Sequence, residues 1–235
     1  MRRLVYILKK EFKDYFTSPI AYIVISVFLL VTGWFFFSTF FLHNQASLRN
    51  FFSLLPFVFS LVIPAVTMKL FAEELNVGSY ETLLTMPVTF MDIIMGKFLA
   101  AVLFVAAMLA PTLFYPVIIA FFGRLDLGPV VGGYVGAMLL GAAFTAIGLF
   151  ASSLTRNQII AFIIGAAICF GLIIIDHILF FLPSPLVGFV GYFGADFHFQ
   201  NISRGVIDSR DVLYFLTVIF VGLYGAYLAL AVREK

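Results

Sequence analysis

Ile159–Phe181 reads IIAFIIGAAICFGLIIIDHILFF, and nothing in it carries a charge until Asp176. A helix needs about 20 apolar residues to cross the hydrocarbon layer of a bilayer, and this stretch supplies them. Working outward in both directions, five more windows have the same character: Ile20–Leu42, Phe51–Phe71, Phe98–Phe122, Val130–Leu154 and Val212–Val232. Composition agrees, with 63% hydrophobic and 11% charged residues; a soluble domain carries about 25% charged residues to face water. The 31 Phe suit lipid-facing surfaces and interfacial belts. The sequence therefore reads as an all-α integral membrane protein with six transmembrane helices. It forms a single domain over residues 1–235, since no connector is polar enough for a separate soluble one. Pro56 and Pro64 in the second window, and Pro111 and Pro116 in the third, predict kinks that neighbouring helices or water can satisfy.

Lys and Arg in the short loops set orientation. With the N-terminus inside, Arg2, Arg3, Lys9, Lys10, Lys13, Lys69, Lys97, Arg156, Arg233 and Lys235 are cytoplasmic, and Arg49, Arg124, Arg204 and Arg210 are external. The asymmetry is ten to four and accounts for all 14, which puts both termini in the cytoplasm. Within residues 1–18, Leu4, Val5, Leu8, Phe12 and Phe16 fall at helical spacing while Lys9, Lys10, Lys13 and Asp14 fall elsewhere. That predicts an amphipathic elbow helix on the inner membrane surface, ended by Ser18-Pro19; a plain topology-setting anchor is the alternative. The segment lacks a small-residue cleavage site, so no signal peptide is expected to be removed. Residues 182–210 are apolar but punctuated by Pro183, Pro185, Gly188, Gly191 and Gly194. They read as an external re-entrant or interfacial segment in which Asp196 is expected to cap a short helix through His198 and Gln200.

The connector at residues 72–97 carries the mechanism. It runs Phe71-Ala-Glu-Glu-Leu-Asn-Val-Gly-Ser-Tyr-Glu-Thr-Leu-Leu-Thr-Met-Pro87 and on to Gly96-Lys97. Gly78 supplies a turn and Ser79 can cap the helix that follows. Glu81 suits the positive end of that helix's dipole, and Pro87 ends it. Thr89 and Asp92 have the spacing of a capping box for the next helix. The expected result is a cytoplasmic coupling helix of about two turns presenting Tyr80, Leu83, Leu84 and Met86. Such a helix suits docking into a groove on a partner.

Glu73–Pro87 with Gly96-Lys97 resembles the pattern E-E-x-x-x-G-[ST]-x-E-x-L-L-x-x-P…G-K of ABC-2-type transporter permeases, and length and topology resemble that family throughout. Phe71–Glu74, Ala151–Gln158 and the stretch from His198 to Asp208 are similar to the branch serving gliding motility and nitrous oxide reductase maturation. The first external loop, His43–Asn50, is shorter than that branch implies. The resemblance implies a non-catalytic permease subunit in a bacterial inner membrane, driving export or passing ATP-driven motion across the membrane. It implies ATPase-coupling residues Glu73, Glu74, Gly78, Ser79, Tyr80, Glu81, Thr82, Leu83, Leu84, Met86 and Pro87. The implied partners are a cytoplasmic ABC ATPase subunit, a second permease copy or paralogue, and an envelope accessory protein. It also places span five near a twofold axis, where the small-residue stripe Ala161, Gly165 and Cys169 would form a dimer interface.

Other patterns bound the reading. Gly96-Lys97 has Met91 where a P-loop needs glycine and is followed by Phe98, so this chain is not expected to bind ATP by a P-loop and must borrow energy from another subunit; the resemblance implies no cofactor in this chain and ATP with magnesium bound by the partner. No H-E-x-x-H or G-x-S-x-G occurs. Cys169 stands alone and reads as a packing thiol, and a net charge of +2 gives no case for nucleic acid. The stripe Gly133, Ala137 and Gly141 in span four reads as packing within one subunit. A secondary transporter or channel would need titratable groups deep in the membrane. Only Asp176 and His177 are candidates, and they lie near an outer rim. A passive scaffold is the remaining alternative.

Overall fold

A computed structural model describes residues 2–43, 47–78, 89–123, 126–178 and 190–233. The described residues form helices joined by turns: α1 (Arg2–Thr17), α2 (Pro19–His43), α3 (Arg49–Thr67), α4 (Lys69–Val77), α5 (Phe90–Leu109), α6 (Phe114–Phe122), α7 (Leu127–Leu154), α8 (Gln158–Ile178), α9 (Ala195–Ser203) and α10 (Ser209–Arg233). A 3₁₀ turn at Ala110–Leu113 joins α5 to α6. Six segments are long and apolar enough to span a membrane: α2, α3–α4, α5–α6, α7, α8 and α10. The protein is a multi-pass membrane protein, and its six spans coincide with the six apolar windows.

Local chemistry sets the boundaries. Pro19 opens α2, and Ser18 Oγ accepts from the Ile20 N–H at 3.3 Å, so the first two helices part at Ser18-Pro19. In α3, Pro56 and Pro64 leave the helix continuous, and the break falls just beyond, at Met68. In the third span the prolines change the winding. Pro116 has no N–H for the Thr112 carbonyl four residues back, and the Tyr134 hydroxyl from α7 donates to that carbonyl at 2.7 Å.

α7 is the central helix, with 72% of its spanning window buried, against 22% for α2, 22% for α8 and 28% for α10. Small residues on α7 let neighbours close in. A side chain at Gly133 would overlap the Phe52 ring, and one at Gly141 would come within 2.8 Å of Val105 Cγ1. The span-four stripe therefore serves packing within the subunit. The peripheral spans keep apolar outer faces, such as Leu30 and Trp34 on α2, Ile163 on α8 and Phe220 on α10. Such surface belongs in lipid or against another membrane protein.

The two ends of the bundle differ. One gathers α1, α4, the start of α5 and the ends of α7 and α10, where the Arg233 guanidinium donates to the Leu154 carbonyl at 2.6 Å. On α1, Ile7, Glu11 and Tyr15 face inward while Lys9, Lys10, Lys13 and Asp14 are exposed. The other end carries α9 against α7, α3 and α8. Here the expected cap needs correction. Asp196 lies inside the first turn of α9, where its carboxylate accepts from Gln200 at 3.4 Å. The carboxylate that accepts from the N-terminal amides is Asp176 of α8, whose Oδ2 takes the Phe197 N–H at 3.0 Å. It fits because Gly194 has no side chain; a Cβ there would collide with it.

Candidate functional site

The site starts at the break between α3 and α4. Restarting a helix after Met68 leaves first-turn amides that need an acceptor. Ser152, reaching across from α7, provides it. Its Oγ accepts from the Phe71 and Ala72 N–H groups at 3.0 Å each and donates to the Met68 carbonyl at 2.7 Å. The Ser152 hydroxyl and the two amides are buried, so one hydroxyl fixes the direction in which α4 continues from α3.

Gly96 does the same for α1. A Cβ at that position would lie 2.7 Å from Ile7 Cγ2 and 3.5 Å from the Leu4 carbonyl. Without one, α1 lies directly on α5, and Glu11 comes within reach of Lys97. Lys97 is 1% exposed. Its Nζ lies 2.8 Å from Glu74 Oε1 and 3.1 Å from Glu11 Oε1, and 5.3 Å from the centre of the Phe71 ring. One ammonium thus ties α5 to α4 and α1 together. In a low-dielectric setting such a cluster holds its geometry strongly, because any partner left alone is a buried charge. Lys97 entered the loop-charge count as a topology signal, but it is an internal tie.

Beside this cluster α1, α2, α3, α4 and α5 enclose a cleft of ≈ 570 Å3. Tyr15, Glu74 and Lys97 border it, as do the exposed Lys10 and Glu73. Tyr15 stacks on Phe104 at 4.9 Å, with Lys69 Nζ 5.1 Å from its ring centre. Burial, and then the nearby Glu11 charge, push the Tyr15 phenol up, so it remains a neutral O–H. Among the described residues that hydroxyl and Glu74 Oε2 are buried without a hydrogen-bond partner.

The hub also brackets the segment expected to couple. α4 ends at Val77, and Gly78 follows with φ 76° and ψ 5°, the left-handed conformation that glycine adopts without cost. On the far side Thr89 and Asp92 form the expected capping box. The Asp92 N–H donates to Thr89 Oγ1 and the Thr89 N–H to Asp92 Oδ2, each at 3.2 Å. Of the expected coupling residues, Glu73 is exposed and Glu74 is turned inward to Lys97. Ser79, Tyr80, Glu81, Thr82, Leu83, Leu84, Met86 and Pro87 lie outside the described residues.

Residues 5–192 match the family described as ABC-2 family transporter protein. The chain belongs to the ABC-2 transporter family. The match takes in α1 through α8 and every residue of the hub, and leaves α9 and α10 outside it. Its members are membrane-embedded components of ABC transporters, generally without catalysis of their own and typically paired with an ATPase. No curated protein matches the chain.

The remaining expected sites of this ABC-2 chain are placed as follows. Ala161, Gly165 and Cys169 do not lie on the open face of α8 but are buried within the subunit. A Cβ on Gly165 would lie 3.3 Å from Pro64 of α3 and 3.5 Å from Ala151 of α7. Small residues let α8 press against its own neighbours, which is why the stripe is turned inward. The uncovered face carries Ile159, Ile160, Ile163 and Phe170. At the opposite end His198 and Asp211 form a buried pair, Nδ1 to Oδ1 at 2.6 Å, under the stacked Tyr214 ring. His177 turns to its own Ile173 carbonyl at 3.3 Å and not to Asp176. Among the described residues no group of three or more His, Cys, Asp or Glu is arranged to hold a metal ion. Glu11 and Ser152 are the residues that sequence reasoning missed. Glu11 had a signal, since it repeats at the helical spacing of Ile7 and Tyr15, while Ser152 sat in a segment noticed only for resemblance.

Proposed function

We propose that this chain is the permease subunit of an ABC transporter, driven by a separate ATPase subunit that docks on residues 79–87. Family membership supports the class. The observation that carries the mechanism is the bracketing of that segment. Gly78 and the Thr89–Asp92 box flank it, while Ser152 and Lys97 pin the helices on either side. A segment held at both ends moves those helices when it is pushed.

In this reading the hub end faces the cytoplasm, as the ten-to-four asymmetry of Lys and Arg requires, and the membrane is a bacterial inner membrane. The partner binds ATP and magnesium. A second permease copy or paralogue meets the open faces of α2 and α8, where apolar surface is least covered. Residues 71–74, 151–158 and 198–208 favour the branch serving gliding motility and nitrous oxide reductase maturation. There the stroke exports a substrate or drives an envelope partner.

Leu83→Asp tests the reading. A carboxylate pressed into the docking contact should cost more than about 2 kcal/mol, some thirtyfold in affinity. The variant should insert normally yet release its ATPase in pull-down and lose coupled ATP hydrolysis. Undiminished pull-down with normal coupling refutes it.

A further inference from the structure

On the flank of the bundle the ends of α7 and α10 leave a groove of ≈ 490 Å3 that shares no lining residue with the cleft beside Tyr15. Gly225, Leu228, Ala229 and Val232 line it from α10, at the spacing of a single helix face, and Phe150 and Leu154 line it from α7. Small residues let the two helices close in: a Cβ on Gly225 would come within 2.9 Å of the Phe150 ring. Leu154, Leu228 and Val232 are exposed, so the apolar walls are open to a molecule arriving from the bilayer.

The groove ends in positive charge. Arg233 borders it and donates to the Leu154 carbonyl at 2.6 Å, while its side chain stays exposed. A guanidinium carries more N–H groups than that one contact uses. Arg156, two residues past Leu154, is exposed as well. Neither arginine has an acidic partner within salt-bridge distance among the described residues, and in the adjoining sequence Glu234 is balanced by Lys235. The spans set the depth of both. Leu154 and Arg233 close the spans formed by α7 and α10, and Arg156 stands just before the span formed by α8. Two cations therefore sit at headgroup level, at the end of an apolar slot between two spans.

We propose that this groove binds an anionic phospholipid, its phosphate held by Arg156 and Arg233 and one acyl chain laid between α7 and α10. Guanidinium forks match phosphate oxygens, and basic pockets at the ends of spans bind anionic headgroups. A choline headgroup shares the phosphate but brings its own cation to the arginines. A free anion in solution would leave the apolar walls bare. The site lies on the flank of the subunit and stands whether or not residues 79–87 meet an ATPase.

The test uses the full chain in phosphatidylcholine vesicles that carry a trace of phosphatidylglycerol or phosphatidylcholine with a diazirine on one acyl chain. After illumination the labelled peptides are mapped by mass spectrometry. The exposed face of α2 around Leu30 and Trp34 is the internal reference for lipid that is merely adjacent. Relative to it, the phosphatidylglycerol probe should label residues 225–232 about tenfold more than the phosphatidylcholine probe, the worth of one charge-assisted hydrogen bond. Arg156→Gln and Arg233→Gln should each cut that excess severalfold while labelling of α2 stays as before. Ala229→Leu should fill the groove and lower its labelling by both probes. Equal labelling by the two lipids, an excess that survives both arginine variants, or suppression of the excess by inorganic phosphate would each overturn the proposal. So would efficient oxidative crosslinking between copies through Leu228→Cys in a Cys169→Ala background, because a second subunit would then cover the groove.

Discussion

Replacing Lys97 by methionine removes the one cation that both Glu11 and Glu74 use, while methionine fills a similar volume. Breaking a buried pair by deleting one partner costs about 3–5 kcal/mol, because a charge is left in low dielectric without compensation. The structure places this case at the lower end. Glu11 keeps Lys10 within 3.7 Å, whereas Glu74 has no second cation within salt-bridge distance among the described residues. One carboxylate is stranded rather than two, so a loss of about 3 kcal/mol is expected. For a chain of this size each kcal/mol lowers Tm by about 2–4 °C, which predicts a drop of about 6–12 °C. Thermal unfolding of the purified protein in detergent, followed by loss of the monodisperse peak in size exclusion, measures it. The triple variant Lys97→Met with Glu11→Gln and Glu74→Gln removes the stranded charge and should recover most of the drop. A Tm within about 2 °C of wild type in the single variant would refute the buried triad as a structural tie.

Ser152→Ala removes the buried hydroxyl that accepts from the Phe71 and Ala72 N–H groups and donates to the Met68 carbonyl, and should cost about 2 kcal/mol in the same assay; Ser152→Thr, which keeps an oxygen, should cost less. Gly78→Val puts a branched side chain into the left-handed region, at least about 1–2 kcal/mol of strain, with nothing among the described residues within 4 Å to clash. It should therefore impair coupled ATP hydrolysis more than expression, whereas Gly78→Asn should be tolerated, and both readouts come from one membrane preparation. Cys169, the only cysteine, is fully buried, so oxidised wild-type membranes should show no crosslinked dimer. Ile163→Cys in a Cys169→Ala background places a thiol on the open face of α8, where Ile163 is 57% exposed, and should crosslink between copies. Crosslinks through Cys169 with none through position 163 would reverse the assignment of the two faces.

The spans were legible because crossing a bilayer is a matter of length and composition, and Ile159–Phe181 has both. The boundaries at Ser18-Pro19 and at Thr89 were legible too, because proline and a capping box act within a few residues of sequence. What could not be read was which way each helix faces. Gly165 and Ile163 are two residues apart and similar in apolar character, yet one meets Pro64 and the other is open. A small residue marks a close approach without naming the partner that makes it. The same limit hid the hub. Lys97 sits near the start of an apolar window, where a lysine is ordinarily a loop charge. Only contacts 23 and 86 residues away turn it into an internal tie. Asp176 was weighed as part of a pair with His177, its neighbour in sequence, whereas its carboxylate reaches Phe197 on another helix.

This long-range wiring bears on how force would travel in the proposed coupling. If only α4 were held, a push on residues 79–87 would bend the chain at Gly78 and stop there. Ser152 holds the first turn of α4 against α7, and Lys97 holds its middle against α5 and α1. The segment on the other side re-enters α5 seven residues before that same Lys97. Both routes out of the segment therefore meet at one ammonium, and the helix it recruits is α1, which runs straight into α2 at Pro19. α2 is also one of the two least covered spans. A stroke delivered at residues 79–87 would reach the open face of the subunit through ion pairs rather than through the packed interior around α7. For that reason the neutral triple variant is the sharper functional probe: it should restore the Tm and still leave α1 loosely tied, so that stability returns while coupling does not.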